Sequence, residues 1–272
     1  MSVHGLLSVA DTERAKLAKQ LKVRLVLLAC VVAPFGFAAA MRVQDSLPED
    51  TLFGRAVKDS GFALPLVILG FAAFWAFPAM TSVVGGDMFS AEDRYGTWST
   101  LLTRSRSRRE VFAGKVLVAS SFSVIAVMVL AAASMAAGVL VLGVQPLVDL
   151  SGVERRPVEA ALRVVVAWGS VLPPAMAFTA VAALVSVATR SSAAGIGLPV
   201  LAGLALQLGA MLDGPELPRR LLITSAFGAW HGLFVDPPYY MPLVHGLLVS
   251  SGYVVACLMV AYRLLERRDV GR

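Results

Sequence analysis

Two uncharged stretches constrain this chain more than anything else in it: Gly61 to Gly86, twenty-six residues, and Val116 to Val148, thirty-three. About 20 apolar residues suffice to cross a hydrocarbon core of roughly 30 Å at a helical rise of 1.5 Å per residue. The runs are continuous rather than alternating, so they demand helices and not the strands of a barrel. Further runs begin near Leu25, Val164, Ser192 and Met241. Only 15% of the 272 residues are charged and 57% are hydrophobic, which leaves no room for a separate soluble catalytic module. The expected fold is an all-α polytopic membrane protein, a single domain over 1–272, with spans at about 23–41, 61–85, 114–143, 162–189, 192–212 and 241–263.

The net charge of +6 does not gather into a nucleic-acid-binding face; it reports orientation. With both termini inside, sixteen Lys and Arg fall in the inner segments and eight in the outer ones. That excess assigns an N-in, C-in topology. Asp11 or Thr12 is positioned to cap a surface helix over about 11–22, with Ala15, Ala18, Leu21 and Leu25 on one face. Ala38 to Ala40 close the first run in the manner of a signal peptide, but cleavage there would leave an unpaired topology, so retention is expected.

The longest polar interruption between two spans, 86–113, has the pattern of a docking surface. Met88, Ala91, Tyr95, Trp98 and Leu102 recur at helical spacing, with Glu92, Asp93, Arg94 and Thr100 mainly opposite. Such a helix would lie along the membrane surface, with Gly96 as its weak point at a cost of about 1 kcal/mol. After the basic run Arg104, Arg106, Arg108 and Arg109, Ser107 and Glu110 have the form of a capping box that opens the third span. Near the other end, Leu221 to Val235 is too short to cross. With Trp230, Phe234, Tyr239 and Tyr240 it suits a re-entrant or interfacial segment on the outer side, over about 219–238. Pro65, Pro78, Pro173 and Pro174 should bend or break their spans, and the fifth span also contains Pro199. Gln207 is the one strongly polar mid-span side chain; it hydrogen-bonds another helix or, as the second reading, faces a substrate path.

Several chemistries are missing. Gly114 and Lys115 form a GK pair, but Val116 follows where a nucleotide-binding loop needs Ser or Thr, so the chain cannot be its own ATPase. His231, Asp236 and His245 have no metal-ligand spacing, and no catalytic or cofactor-binding residue is assigned. Cys30 and Cys257 sit within apolar runs as small buried residues. No pair of intramembrane carboxylates suggests a proton relay.

EDRYGTWSTLLTRSRSRREVFAGK resembles the first cytoplasmic loop of type-2 ABC transporter permeases, in which Glu92, Gly96 and Thr97, Leu101 and Leu102, Ser107 and Arg108, and Gly114 and Lys115 match in order. Glu266, Arg267, Arg268 and Asp269 resemble the family's close of the last span. The proline that the family carries between the Leu pair and the Ser-Arg turn is absent; Thr103 to Arg106 stand there. The resemblance covers nearly the whole chain. It implies a multi-pass permease in the cell inner or plasma membrane, paired with a second permease, identical or homologous, and with two cytoplasmic ATP-binding subunits that hold the ATP. The 86–113 segment would be the coupling element, with Glu92, Asp93, Tyr95, Gly96, Thr97, Trp98, Leu101, Leu102 and Arg108 at the ATPase interface. The cargo expected from an apolar interior is a hydrophobic, amphipathic or lipid-like molecule, exported. A non-transporting scaffold that recruits a soluble partner through the basic loop, and a six-span channel, remain the other readings.

Overall fold

A computed structural model describes residues 3–43, 51–98, 101, 107–210 and 219–268. Six helical segments are long and apolar enough to cross a membrane: Leu21–Val43, Ala63–Gly85, Arg108–Leu142, Pro157–Thr189, Ser192–Gly209 and Met241–Glu266. We number them spans one to six. The part of the fourth span from Leu172 to Thr189 is the hub, packed against the second, third, fifth and sixth, while the first span lies on the third. Alanine dominates this hub: Ala175, Ala177, Ala180, Ala182 and Ala183 are all buried, and small side chains let helices approach where lipid supplies no hydrophobic drive.

Proline and glycine explain most departures from straight helix. The second span passes through a π-helical stretch, Ala72–Ala76, immediately before Pro78, whose missing N–H leaves a carbonyl of the preceding turn without its usual donor. The fourth span breaks at Val171, where Pro173 and Pro174 begin a fresh helix. The third ends in a second π stretch, Gly138–Leu142.

The N-terminal helix runs from Val3 to Lys19, so it begins before Asp11, and Thr12 is not a cap: its hydroxyl donates to the Ser8 carbonyl from within the helix. Its packed face is Val9, Glu13 and Leu17, at spacings of four, while Ala15, Ala18, Leu21 and Leu25 are exposed. The face that packs on the protein is therefore a different one from the apolar face read in the sequence, and it includes Glu13.

The bundle has two distinct ends. One gathers the N-terminal helix, the segment after the second span, the start of the third and the close of the sixth. At the other, Leu147–Val148 pairs antiparallel with Glu154–Arg155, and a 3-10 helix, Ile223–Phe234, packs on the sixth span. Phe227 stacks between Phe77 and Phe178, and Phe53 meets Trp230 and Phe234. We call these the charged end and the aromatic end.

Candidate functional site

At the charged end the polar segment does not form one helix from Met88 to Leu102. It forms a short helix, Ser90–Tyr95, that stops at Gly96 in the left-handed conformation, φ +63°. Thr97 N–H donates to the Glu92 carbonyl (3.0 Å) and Gly96 N–H to that of Asp93 (3.4 Å), which is the hydrogen-bond pattern of a Schellman turn. Gly96 is therefore the stop signal rather than a weak point inside the helix. The misreading came from periodicity: apolar residues continue at helical spacing across a turn that only the glycine marks.

The turn exchanges two positions, Tyr95 and Glu92, relative to the faces read in the sequence. Tyr95 is 71% exposed, and Arg94 lies over its ring at 4.9 Å; Glu92 is only 5% exposed. Met88 and Trp98 are buried as expected. Lys115, about two turns inside the third span, is fully buried and donates to the Glu92 carboxylate (2.8 Å) and the Met88 carbonyl (3.1 Å), with Glu13 at 3.0 Å. Lys16 joins both acids, at 2.9 Å from Glu13 and 3.2 Å from Glu92, and the Thr97 hydroxyl also donates to Glu92. A buried ammonium is tolerated when its three protons find acceptors, and here they do.

Gly114 completes this arrangement. A Cβ there would stand 2.7 Å from a Val9 methyl, so the glycine is what lets the N-terminal helix seat close enough for Glu13 to reach Lys115. Glu92, the Gly96–Thr97 pair and the Gly114–Lys115 pair, which look like separate fragments in the sequence, are thus parts of one contact.

Burial by itself pushes the Glu92 carboxyl up, but the Lys115 ammonium, the Thr97 hydroxyl and Lys16 outweigh it and bring the carboxyl down to about 2. Asp87 shows the same balance: burial raises it, yet the bond from Lys22, Ser192 and the charge of Arg94 leave it below its ordinary value. Burial pulls Lys16 down, but Glu13 and Glu92 more than offset it and leave the ammonium shifted up.

A second set of contacts ties the segment to the sixth span. Asp93 accepts from Trp98 Nε1 and from Arg268, each at 3.1 Å. Arg108 Nη1 reaches the carbonyls of Leu265 (3.3 Å) and Glu266 (2.6 Å), which are among the orphan acceptors at the helix C-terminus, and that of Arg268 (2.8 Å) just beyond it. Ser107 and Glu110 make the reciprocal capping box, both bonds at 3.2 Å, and open the third span. Leu101 is half-buried; Leu102, Arg104 and Arg106 lie outside the described residues. Sequence reasoning missed Glu13, Lys16, Asp87 and Arg268. The available signal for Glu13 was its place between Val9 and Leu17 at four-residue spacing.

At the aromatic end, a cavity of about 450 Å³ lies between the second span, the fifth span and the 3-10 helix. Phe71, Phe74, Phe227 and Trp230 give it an apolar wall, and Gln207 borders it. Gln207 Nε2 donates to the Ala73 carbonyl at 3.1 Å, within the π stretch. The amide therefore does structural work and lines the cavity at the same time. Among the described residues, no three His, Cys, Asp or Glu side chains gather as a metal site.

No curated protein matches this chain. The model of the ABC-2 family transporter protein matches residues 10–205, which takes in most of the N-terminal helix, the whole charged-end contact except its C-terminal part, and the first five spans up to Ala205. With six candidate spans and a match over most of its length, the chain is a multi-pass membrane component of an ABC transporter and belongs to the ABC-2 family.

Proposed function

We propose that this chain is the permease subunit of an ATP-driven exporter, working with a second permease, identical or homologous, and with two cytoplasmic ATP-binding subunits. Permeases of the ABC-2 family generally pair with such subunits and typically lack ATPase activity of their own. In this reading the charged end is cytoplasmic, as the Lys and Arg excess favours, and the aromatic end lies on the outer side of the cell inner or plasma membrane. The 3-10 helix is then the outer re-entrant or interfacial element.

One observation carries the reading: Lys115 of the third span, Glu92 of the docking segment and Glu13 of the N-terminal helix form a single buried ionic contact. A partner that displaces the exposed Arg94–Tyr95–Gly96 turn pulls through Glu92 on the third span, because that contact cannot stretch without leaving charges buried and unpaired. Asp93 and Arg108 carry the same displacement to the sixth span through its C-terminal residues. The surface offered to the ATPase is thus the turn itself with Tyr95, while Glu92, Trp98 and Thr97 act behind it. The apolar cavity beside Gln207 is the substrate path, suited by its wall to a hydrophobic, amphipathic or lipid-like cargo.

Purification in mild detergent with the products of neighbouring genes tests this. The expected result is a stoichiometric ATP-binding subunit whose ATPase activity depends on this chain. A lone oligomer without ATPase activity would return the chain to a membrane scaffold, and ATP-independent current to a six-span channel.

A further inference from the structure

The second and fifth spans meet at regular intervals between the charged end and the cavity. Gly86 lies so close to Gly195 that a Cβ on Gly86 would stand 2.3 Å from the Gly195 carbonyl. Further along, a Cβ on Gly203 would stand 3.2 Å from Pro78, and Gln207 Nε2 donates to the Ala73 carbonyl. Residue numbers fall along one helix as they rise along the other, so the pair is antiparallel. Glycine and proline offer no side-chain hydrogen bond, and Ser82, one turn before Gly86, is buried with its hydroxyl unpartnered. The contacts at Gly86 and Pro78 are packing alone, and a tilt of one helix on the other costs no hydrogen bond there.

The fifth span is bonded near both of its ends. At its start Ser192 Oγ lies 2.9 Å from Ser90 Oγ of the docking segment, and Ser90 N–H donates to Ser186 Oγ of the fourth span at 3.0 Å. At its far end the Gln207 bond holds it to the π stretch of the second span, beside the apolar cavity. The docking segment thus grips the inner ends of the fourth and fifth spans together. In the most apolar stretch of the fourth span 61% of the residues are buried inside the protein, against 17% in the fifth. Of the two, the fifth is the one free to move.

We propose that the fifth span is a lever: Ser192 takes up the displacement of the docking segment, Gly195 against Gly86 is the fulcrum, and Gln207 is a latch whose release from Ala73 opens the cavity. The proposal rests on reading the charged end as the ATPase-facing side and the apolar cavity as the substrate path. The helix is continuous over Ser192–Ala210, across Pro199. At 1.5 Å per residue Ser192 stands about 4.5 Å before Gly195 and Gln207 about 18 Å beyond it, so a rigid tilt moves Gln207 about four times as far as Ser192. A shift of about 1 Å at the serines then carries Gln207 out of hydrogen-bond reach of Ala73. Gly195 serves as the fulcrum because backbone meets backbone there, with no side chain to give way. Ser90 and Ser192 are positioning residues, acting on the cavity only through Gln207.

The test uses the full chain with its ATPase in nanodiscs, on a Cys30→Ala/Cys257→Ala background, and cross-links the lever at one end or the other. Ser90→Cys/Ser192→Cys is closed by mild oxidation, since the two hydroxyl oxygens already touch. Ala73→Cys/Gln207→Cys is closed with a short bis-methanethiosulfonate, and dithiothreitol reopens either link. Closing the serine-derived pair should leave transport-coupled ATPase activity at its reduced level, because the lever keeps that contact throughout its stroke. Closing the pair at 73 and 207 should lower the activity at least about tenfold by blocking a conformational step of the cycle, and reduction should restore it. Both links tighten the fold, so opposite effects on activity do not come from stability. Full coupling with the latch closed, or loss of coupling with the serine-derived pair closed, overturns the lever. A reduced complex without coupled ATPase activity rejects the permease reading itself, and the lever falls with it.

Discussion

The two ends of the bundle solve opposite problems. At the charged end, acids and bases from several segments of chain are buried and matched, so its geometry is fixed by ion pairs that are costly to separate. At the aromatic end the hairpin keeps a buried pair of its own, Arg155 on Asp149 at 2.8 Å, but around the cavity the second span and the 3-10 helix meet through ring contacts, which lets these two move past one another without stranding a charge. A machine that takes a push at one end and opens a path at the other needs this asymmetry. Dispersion contacts are individually weak and exchangeable, whereas a buried ion pair is close to all-or-none.

The comparison can be broken most severely at Lys115. Lys115→Met leaves Glu13 and Glu92 buried with only the half-exposed Lys16 between them, and the expected loss is about 3 kcal/mol of stability, read from thermal unfolding in detergent. A loss near zero would mean that the charged end is not held by this contact. Acidification probes the same contact more gently. The Glu92 carboxyl lies at about 2 in the folded protein against an ordinary 4.5, so its stabilisation is complete above about pH 4.5 and is lost as pH falls toward 2. Glu92→Gln should flatten that part of the stability profile; an unchanged slope would place the acid sensitivity elsewhere.

Gly96→Ala comes next. An L side chain in the left-handed conformation costs about 1–2 kcal/mol, and the turn that exposes Tyr95 should loosen with it. Proteolysis or hydrogen exchange at Tyr95 to Trp98 is the readout, and full protection in the variant would show that the turn tolerates a Cβ. At the aromatic end, Gln207→Leu removes the donor to the Ala73 carbonyl and should cost only about 0.5–1.5 kcal/mol. A larger effect there would make the aromatic end as rigid as the charged one.

How much of this was legible follows from which interactions are local in sequence. The six spans could be read because each is set by its own apolar run, and the Ser107–Glu110 box because its partners lie three residues apart. Gly96 was visible as an anomaly but read as a defect, since the helical period of Met88, Ala91, Tyr95 and Trp98 runs straight through it. Glu13 was given no role in the sequence reading. Its spacing from Val9 and Leu17 hints at a packed face, but its cation, Lys115, and the Gly114 that admits the helix lie about a hundred residues away, and no local pattern reports that pairing. Gln207 was read as a bond to another helix, which its bond to the Ala73 carbonyl is, and it also borders the cavity that we propose as the substrate path. The cavity that Gln207 borders was not legible at all: it arises where separated segments fail to fill the space between them.

The central claim is that the exposed turn is pushed by the ATPase and that the buried contact behind it passes the push on. Coupled ATPase activity and thermal stability, measured together on the reconstituted complex for Tyr95→Ala, address it most directly. Tyr95 is 71% exposed, so its loss should change stability by less than about 0.5 kcal/mol. The expected result is a several-fold fall in transport-coupled ATPase activity with unfolding unchanged. Full coupling in a stable Tyr95→Ala complex, together with full coupling in Glu92→Gln, would take the docking segment out of the mechanism.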